Sequence, residues 1–203
     1  MNFQAQIQQF SKNRLKNVET VVTTVDGKKL LERKSDVDPE RVITVDTGQR
    51  TFGFCEDINP DTKIYRIKPN LYISSQDGAS NYTELMDHQI THILNVATGV
   101  KNAYPEEFIY RKIELLDIPE TRIDQHFSEM IDFINTGCRD GAVLVHCNAG
   151  ISRSSTAVIA YLMHSMRMTL SDALELVREA RPVAKPNDGF MKQLQEYEQK
   201  LRL

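Results

Sequence analysis

Apolar and polar positions change their period several times along this chain, and each change predicts an element. In residues 2–16, Phe3, Ile7, Phe10 and Leu15 fall on one side of a short amphipathic helix. Residues 18–25 alternate like a strand, Asp26-Gly27 is a hairpin turn signal, and residues 28–32 run back. Residues 41–45 read as a further strand. Residues 46–61 are polar, with two glycines and a proline, and read as a linker. A boundary near Lys63 follows. Residues 1–62 form an N-terminal extension of helix, hairpin and linker, too poor in apolar residues for a core of its own. Residues 63–203 form the main domain.

That domain interleaves strands and helices. Residues 64–67 and 71–73 are short strands split by Pro69-Asn70. Residues 80–89 form a helix, with Asn81 and Glu84 spaced as an N-cap and its partner three residues on. Residues 91–97 (THILNVA) are an apolar strand, and residues 108–115 alternate before running into a loop at Asp117. Residues 123–137 form a helix with Phe127, Met130, Ile131 and Ile134 on one face. Gly141 then turns the chain into the buried strand 143–146. Residues 154–166 are apolar nearly all round, so that helix is buried. Residues 170–180 follow a Thr169-x-x-Asp172 capping box and stop before Pro182. Residues 187–203 are a last amphipathic helix with Phe190, Leu194, Tyr197 and Leu201 inward. The alternation predicts an α/β fold with a mixed, mostly parallel central sheet of about five strands flanked by helices.

Composition narrows the partners more than the fold. A net charge of −3 argues against a general nucleic-acid binder and offers nothing to an anionic membrane. Cys55, Cys138 and Cys147 are an odd set without framework spacing, which favours free thiols in a reducing compartment. The N-terminus carries no apolar signal region and has Asn2 where myristoylation needs glycine. No run approaches a membrane span. A cytoplasmic home with nuclear entry open is the expectation.

The chemistry concentrates in Val143-Leu-Val-His146-Cys147-Asn148-Ala149-Gly150-Ile151-Ser152-Arg153-Ser154. A buried strand, a glycine-containing loop and a helix start make an anion cradle, because free N–H groups and the helix dipole converge there. Cys147 stands at its base as a candidate nucleophile, and thiols beside a helix N-terminus and a guanidinium ionise more readily. Arg153 offers a planar fork to phosphate oxygens, at a helix end that otherwise repels a cation. Gly150 allows φ > 0 and close approach of the backbone to an anion. Ser152, Ser154 or Ser155 could equally cap the helix. A leaving oxygen needs a proton from elsewhere, and Asp117, in a loop stiffened by Pro119, is the best candidate; Glu114, Glu120 and Asp124 compete. Cys55 and Cys138 lack such surroundings. No His/Cys/Asp cluster has metal-ligand spacing, and this chemistry requires neither metal nor cofactor.

The run from His146 through Cys147 and Arg153 to Ser154 resembles the signature of the cysteine-based protein tyrosine phosphatase superfamily, and its spelling is closest to the dual-specificity branch. The likeness extends from about Ile64 to the C-terminus, and it is strongest to the small atypical members implicated in stress-activated kinase pathways. The resemblance implies that Cys147 is the nucleophile and that residues 148–153 bind phosphate. It also implies that Ser154 stabilises the departing thiolate and that His146 hydrogen-bonds near the Cys147 backbone and tunes the sulfur. Asp117, ten residues before Phe127, matches the spacing of the branch's general-acid loop. Arg181-Pro182-x-x-x-Pro186-Asn187-x-Gly189-Phe190-x-x-Gln193-Leu194 also fits, and we read it structurally, as a helix stop, a turn and an N-cap at Asn187.

The activity implied is a metal-independent phosphatase of phosphotyrosine and phosphoserine/threonine on proteins, working through a phosphocysteine. Its partner would be a phosphoprotein such as a MAP kinase or an upstream kinase. The uncharged loop residues favour a protein over a phosphoinositide. Two alternatives stay open: a kinase-pathway scaffold or phosphoprotein-binding module with incidental turnover, and a phosphatase of a non-protein substrate. The basic runs at residues 12–16 and 28–34 fit solvated faces better than kinase docking sites.

Overall fold

The computed structural model describes residues 19–24, 28–35, 42–50 and 60–202. The helix expected at residues 2–16, the Asp26-Gly27 turn and Cys55 lie outside the described residues. The chain divides into two compact units, residues 1–56 and 57–203.

The first unit contains a three-stranded antiparallel sheet of β1 (Thr20–Thr23), β2 (Lys28–Lys34) and β3 (Val42–Arg50). β1 pairs β2 from Thr20↔Glu32 to Thr23↔Lys29, as two antiparallel strands where the sequence indicated a hairpin. β3 corrects the expected start of the linker, since residues 46–50 remain in the sheet. The register shifts near Lys28 and Leu30, where Leu30 faces Asp46 and Lys28 faces Arg50. Gly48 takes φ +72° there, and its N–H donates to Asp46 Oδ1 at 2.8 Å. Such a bulge breaks strict alternation, so the sequence looked like loop.

The second unit carries β4 (Ile64–Lys68), β5 (Leu71–Ser74), β6 (His92–Asn95), β7 (Ile109–Lys112) and β8 (Val143–His146). Their order is β4-β5-β8-β6-β7, with β4 antiparallel to β5 and all other pairs parallel. The sheet is therefore mixed, mostly parallel and five-stranded. Period-two alternation buries both faces. Leu71, Ile73, Leu94, Val143 and Val145 join one core; Tyr72, Ile93 and Leu144 join the other.

On the first face lie α3 (Phe127–Asp140), α4 (Arg153–Met166), α5 (Leu170–Ala180) and α6 (Asp188–Leu201). Thr169 caps α5 by accepting from Asp172 N, and Asn187 caps α6 by accepting from Phe190 N. α4 is buried along most of its length, as its apolar sequence requires. The first turn expected of α3 is instead a 3-10 turn over Ile123–His126.

On the second face the helix expected over residues 80–89 is the shorter α2 (Tyr82–Asp87), and it is preceded by a helix not expected from the sequence, α1 (Gln76–Ala79). Ser75 caps α1 by accepting from Asp77 N and Gly78 N. Asn81 caps α2 by accepting from Glu84 N, but the Glu84 carboxylate turns to Ile64 N at 3.0 Å rather than closing the capping box. The strand at the far edge, β7, is shorter than the alternation of residues 108–115 implied, because Ile113 and Leu115 continue inward as buried loop residues.

Candidate active site

Strand alternation sends His146 and Cys147 to opposite sides at the end of β8. Cys147, buried with the α3–α6 core, places Sγ 3.3 Å from Ser154 Oγ, itself fully buried in the first turn of α4. His146 Nδ1 lies 3.4 Å from Cys147 O. A carbonyl accepts only, so Nδ1 carries the proton. Burial pushes the His146 pKa down to about 4, and the bond to the Cys147 carbonyl opposes this only in part, so the ring is neutral.

Between Cys147 and α4, five consecutive carbonyls each accept from the surrounding protein. Asn148 O accepts from Gln76 N at 2.8 Å, and Ala149 O and Gly150 O accept from Arg181 Nη2 and Nε at 2.8 and 2.7 Å. Ile151 O accepts from Lys185 N at 2.8 Å, and Ser152 O from Thr156 N at 2.9 Å. Across a planar trans peptide the next N–H points the opposite way. With these carbonyls held outward, the N–H groups of residues 149–153 turn to the inner side of the loop, the arrangement that cradles an oxyanion. Gly150 takes φ +67°, and a Cβ there would stand 2.5 Å from Ser74 O, a backbone atom that cannot yield. None of the candidate serines caps α4. Ser152 occupies the cap position without a side-chain cap bond, which leaves the first-turn amides open to an anion.

Arg153 is buried at the start of α4. Nη1 donates to Leu115 O and Nη2 to Asn148 Oδ1, both at 2.9 Å. Nε lies 3.4 Å from Asp117 Oδ2, within ion-pair reach. It points badly for a hydrogen bond and finds no such partner among the described residues. A guanidinium has five N–H donors. Two are committed here, and a buried donor left open is costly unless something arrives to accept from it.

Asp117 comes from the loop after β7. Its Oδ1 accepts from Ser152 Oγ at 2.7 Å and from Asn187 Nδ2 at 2.9 Å. The competing acids stand elsewhere. Glu114 pairs with Lys112 at 2.6 Å, Glu120 is exposed, and Asp124 is held by Arg122. The Arg122 hydrogen bonds keep the Asp124 carboxyl below its ordinary value. The Asp117 loop itself rests on the start of α6. Gln193 Nε2 donates to Thr121 O at 2.9 Å, and a Cβ on Gly189 would sit 2.0 Å from Pro119 O.

Three contributors to this geometry escaped the sequence reading. Arg181, read only as a helix stop, is the clamp on two loop carbonyls. Asp61, read as linker, accepts from Arg181 Nη1 at 2.6 Å and from the Tyr65 hydroxyl at 3.1 Å, while the Arg181 guanidinium lies 4.7 Å over the Tyr65 ring. Partial burial works against ionisation of Asp61, yet the Arg181 hydrogen bond and charge hold its pKa below the usual value. Asn187, read only as a cap, also holds Asp117. The C-terminal pattern from Arg181 to Gln193 carried the signal for two of the three.

Comparison with known proteins gives the family. The family model described as "Dual specificity phosphatase, catalytic domain" matches residues 71–200. Dual specificity protein phosphatase 19 of Mus musculus is 46% identical over 193 residues, covering 95% of this chain and 88% of that protein. MAP kinase phosphatase with leucine-rich repeats protein 3 of Dictyostelium discoideum is 45% identical over 136 residues, 66% of this chain and 16% of that one. The crystal structure of the human tyrosine phosphatase-like serine/threonine/tyrosine-interacting protein superposes with a TM-score of 0.65 at 36% identity, covering 70% of this chain and 99% of that one. The mouse relative spans nearly the whole chain, and with the family match it establishes that the chain belongs to the dual specificity phosphatase family of protein phosphatases.

Proposed function

We propose that the protein hydrolyses phosphotyrosine and phosphoserine/threonine on proteins through a phosphocysteine at Cys147, and that it does so within a MAP kinase pathway. The observation that carries this reading is the 2.7 Å bond from Ser152 to Asp117, which joins a separate acid to the anion loop beside its sulfur. In the first step Cys147 Sγ forms a bond to phosphorus as the ester P–O bond breaks, and Asp117 gives its proton to the leaving oxygen. In the second, water loses a proton to Asp117 and attacks phosphorus. The S–P bond breaks, and the Ser154 hydroxyl donates to the departing thiolate. The amides of residues 149–153 and the open donors of Arg153 face the equatorial oxygens throughout, so this scheme needs no metal ion. Residues 63–203 serve as the catalytic domain and residues 1–62 as an extension. Cytoplasmic and nuclear phosphoproteins are both within its reach. Among the described residues no helix is long and apolar enough to cross a membrane.

The pathway assignment draws on the likeness to small phosphatases of stress-activated kinase pathways and on the name of the Dictyostelium relative. The test is hydrolysis of p-nitrophenyl phosphate and of doubly phosphorylated kinase peptides by wild type and Cys147→Ser. Loss of both activities in the variant, with a trapped phosphocysteine in wild type, is the expected result. Equal rates would overturn it. A second reading, phosphoprotein binding with incidental turnover, draws on the human phosphatase-like interacting protein. It predicts that Cys147→Ser leaves pathway output unchanged while still binding the kinase.

A further inference from the structure

Eight large apolar side chains are exposed among the described residues of the second unit, and four of them lie in the anion loop or in segments hydrogen-bonded to it. Leu116 and Ile118 flank Asp117 and are 55% and 44% exposed; Ile151, inside the loop, is 37% exposed; Val183, after α5, is 55% exposed. The three stretches that bear them are tied together. Asp117 is bonded to Ser152 and to Asn187, and Lys185 N donates to Ile151 O at 2.8 Å, which lays residues 183–185 alongside the loop. Pro119, Pro182 and Pro186 stiffen the same stretches, so the apolar groups sit on a rim that needs little ordering when a ligand arrives.

Apolar side chains gathered at one opening mark a surface that something covers. Here the occupant is constrained: whatever inserts a phosphate between Arg153 and Asp117 carries its neighbouring residues across this rim. The local charge sharpens the choice. Apart from Asp117, the charged residues in stretches 115–121, 148–152 and 182–187 are Glu120 and Lys185, one of each sign and both exposed. On these three stretches an acidic residue beside a phosphoresidue would find one lysine, Lys185, to pair with. Apolar ones would find Leu116, Ile118, Ile151 and Val183.

We propose that the four residues form a specificity rim that selects phosphorylated segments with apolar residues immediately beside the phosphoresidue. The proposal rests on the phosphoprotein reading above and narrows its substrate class.

The experiment compares kcat/KM for phosphothreonine peptides identical except at the positions on either side, which carry Leu, Ser or Glu, with p-nitrophenyl phosphate as a substrate that lacks neighbours. The Leu peptide should exceed the Glu peptide by about tenfold or more, the scale of one well-placed apolar contact. In the double variant Leu116→Ser/Val183→Ser that ratio should collapse toward unity, while p-nitrophenyl phosphate hydrolysis stays within about twofold of wild type. A Glu peptide cleaved as well as the Leu peptide, or a ratio untouched by the double variant, overturns the rim while leaving the phosphatase intact. A wild-type protein inactive on p-nitrophenyl phosphate overturns the phosphatase reading and the rim with it.

Discussion

The Asn187 side chain faces two ways. Its Oδ1 accepts from Phe190 N at 2.9 Å and caps α6, while its Nδ2 donates to Asp117 Oδ1 at the same distance. Asn187→Gly separates the two, because glycine at a cap costs only a few tenths of a kcal/mol but has no side chain to donate to Asp117. We expect thermal stability to hold within about 0.5 kcal/mol of the cap. The rate on a phosphothreonine peptide should fall about tenfold or more, inside the 10²–10⁴ that a general acid supplies. p-Nitrophenyl phosphate, whose leaving group needs little protonation, should be affected far less. Asp117→Asn should show the same leaving-group pattern more strongly, and a uniform loss on both substrates would point away from acid positioning.

Ser154→Ala removes the hydroxyl 3.3 Å from Cys147 Sγ. In the proposed scheme bond formation to phosphorus does not need that hydroxyl, but thiolate departure does. The expected outcome is a stopped-flow burst of about one equivalent of nitrophenol followed by a slower steady state, as release of the covalent intermediate becomes limiting. A slow reaction without a burst would place the hydroxyl in the first step.

Arg181 is buried and bonded to both Asp61 and the loop carbonyls of Ala149 and Gly150. Asp61→Asn keeps the shape and removes the charge. Anion affinity should weaken for every substrate alike, read as a raised inhibition constant for vanadate. Stability should fall by about 1–3 kcal/mol, because a buried guanidinium loses its counter-charge. The Asp61 carboxyl titrates below its ordinary value in the folded chain. Its contribution is therefore present above the usual carboxylate pKa and disappears as pH falls through the folded value. A leaving-group-dependent loss in this variant would argue against loop positioning.

His146 sets a second pH dependence. Its folded pKa is about 4 against an ordinary 6.5, so between those values the unfolded chain binds the extra proton. Stability is fully present above pH ~6.5 and declines as pH falls toward 4, by about 3 kcal/mol for the whole shift. Urea titrations from pH 7 to 4.5 should show this slope in wild type, and it should shrink by about one proton in His146→Gln. An unchanged slope would assign the dependence to other groups.

Much of the fold was legible in residue patterns. The run 143–146 and the apolar helix after it each bury nearly every side chain, and Thr169 and Asn187 announce their helices by chemistry that works locally. The failures have physical causes. α1 is four residues long, so it shows no periodicity, and only Ser75 marks it. The bulge at Gly48 disguised the end of β3. The Asp61–Arg181 pair links positions 120 residues apart, which no local pattern reports. Asn187 had one sufficient explanation as a cap, and its second partner became visible only when the loop at Asp117 was placed in space.

The anchoring of Asp117 on Asn187, and of Thr121 on Gln193, makes the last helix a condition of chemistry as well as of packing. During synthesis the cysteine, arginine and serine of the anion loop leave the ribosome first, followed by α5. A chain paused there holds a nucleophile without a secured proton donor. On the proposed mechanism, competence against phosphothreonine therefore waits for α6, because only then is the proton donor at Asp117 held in place.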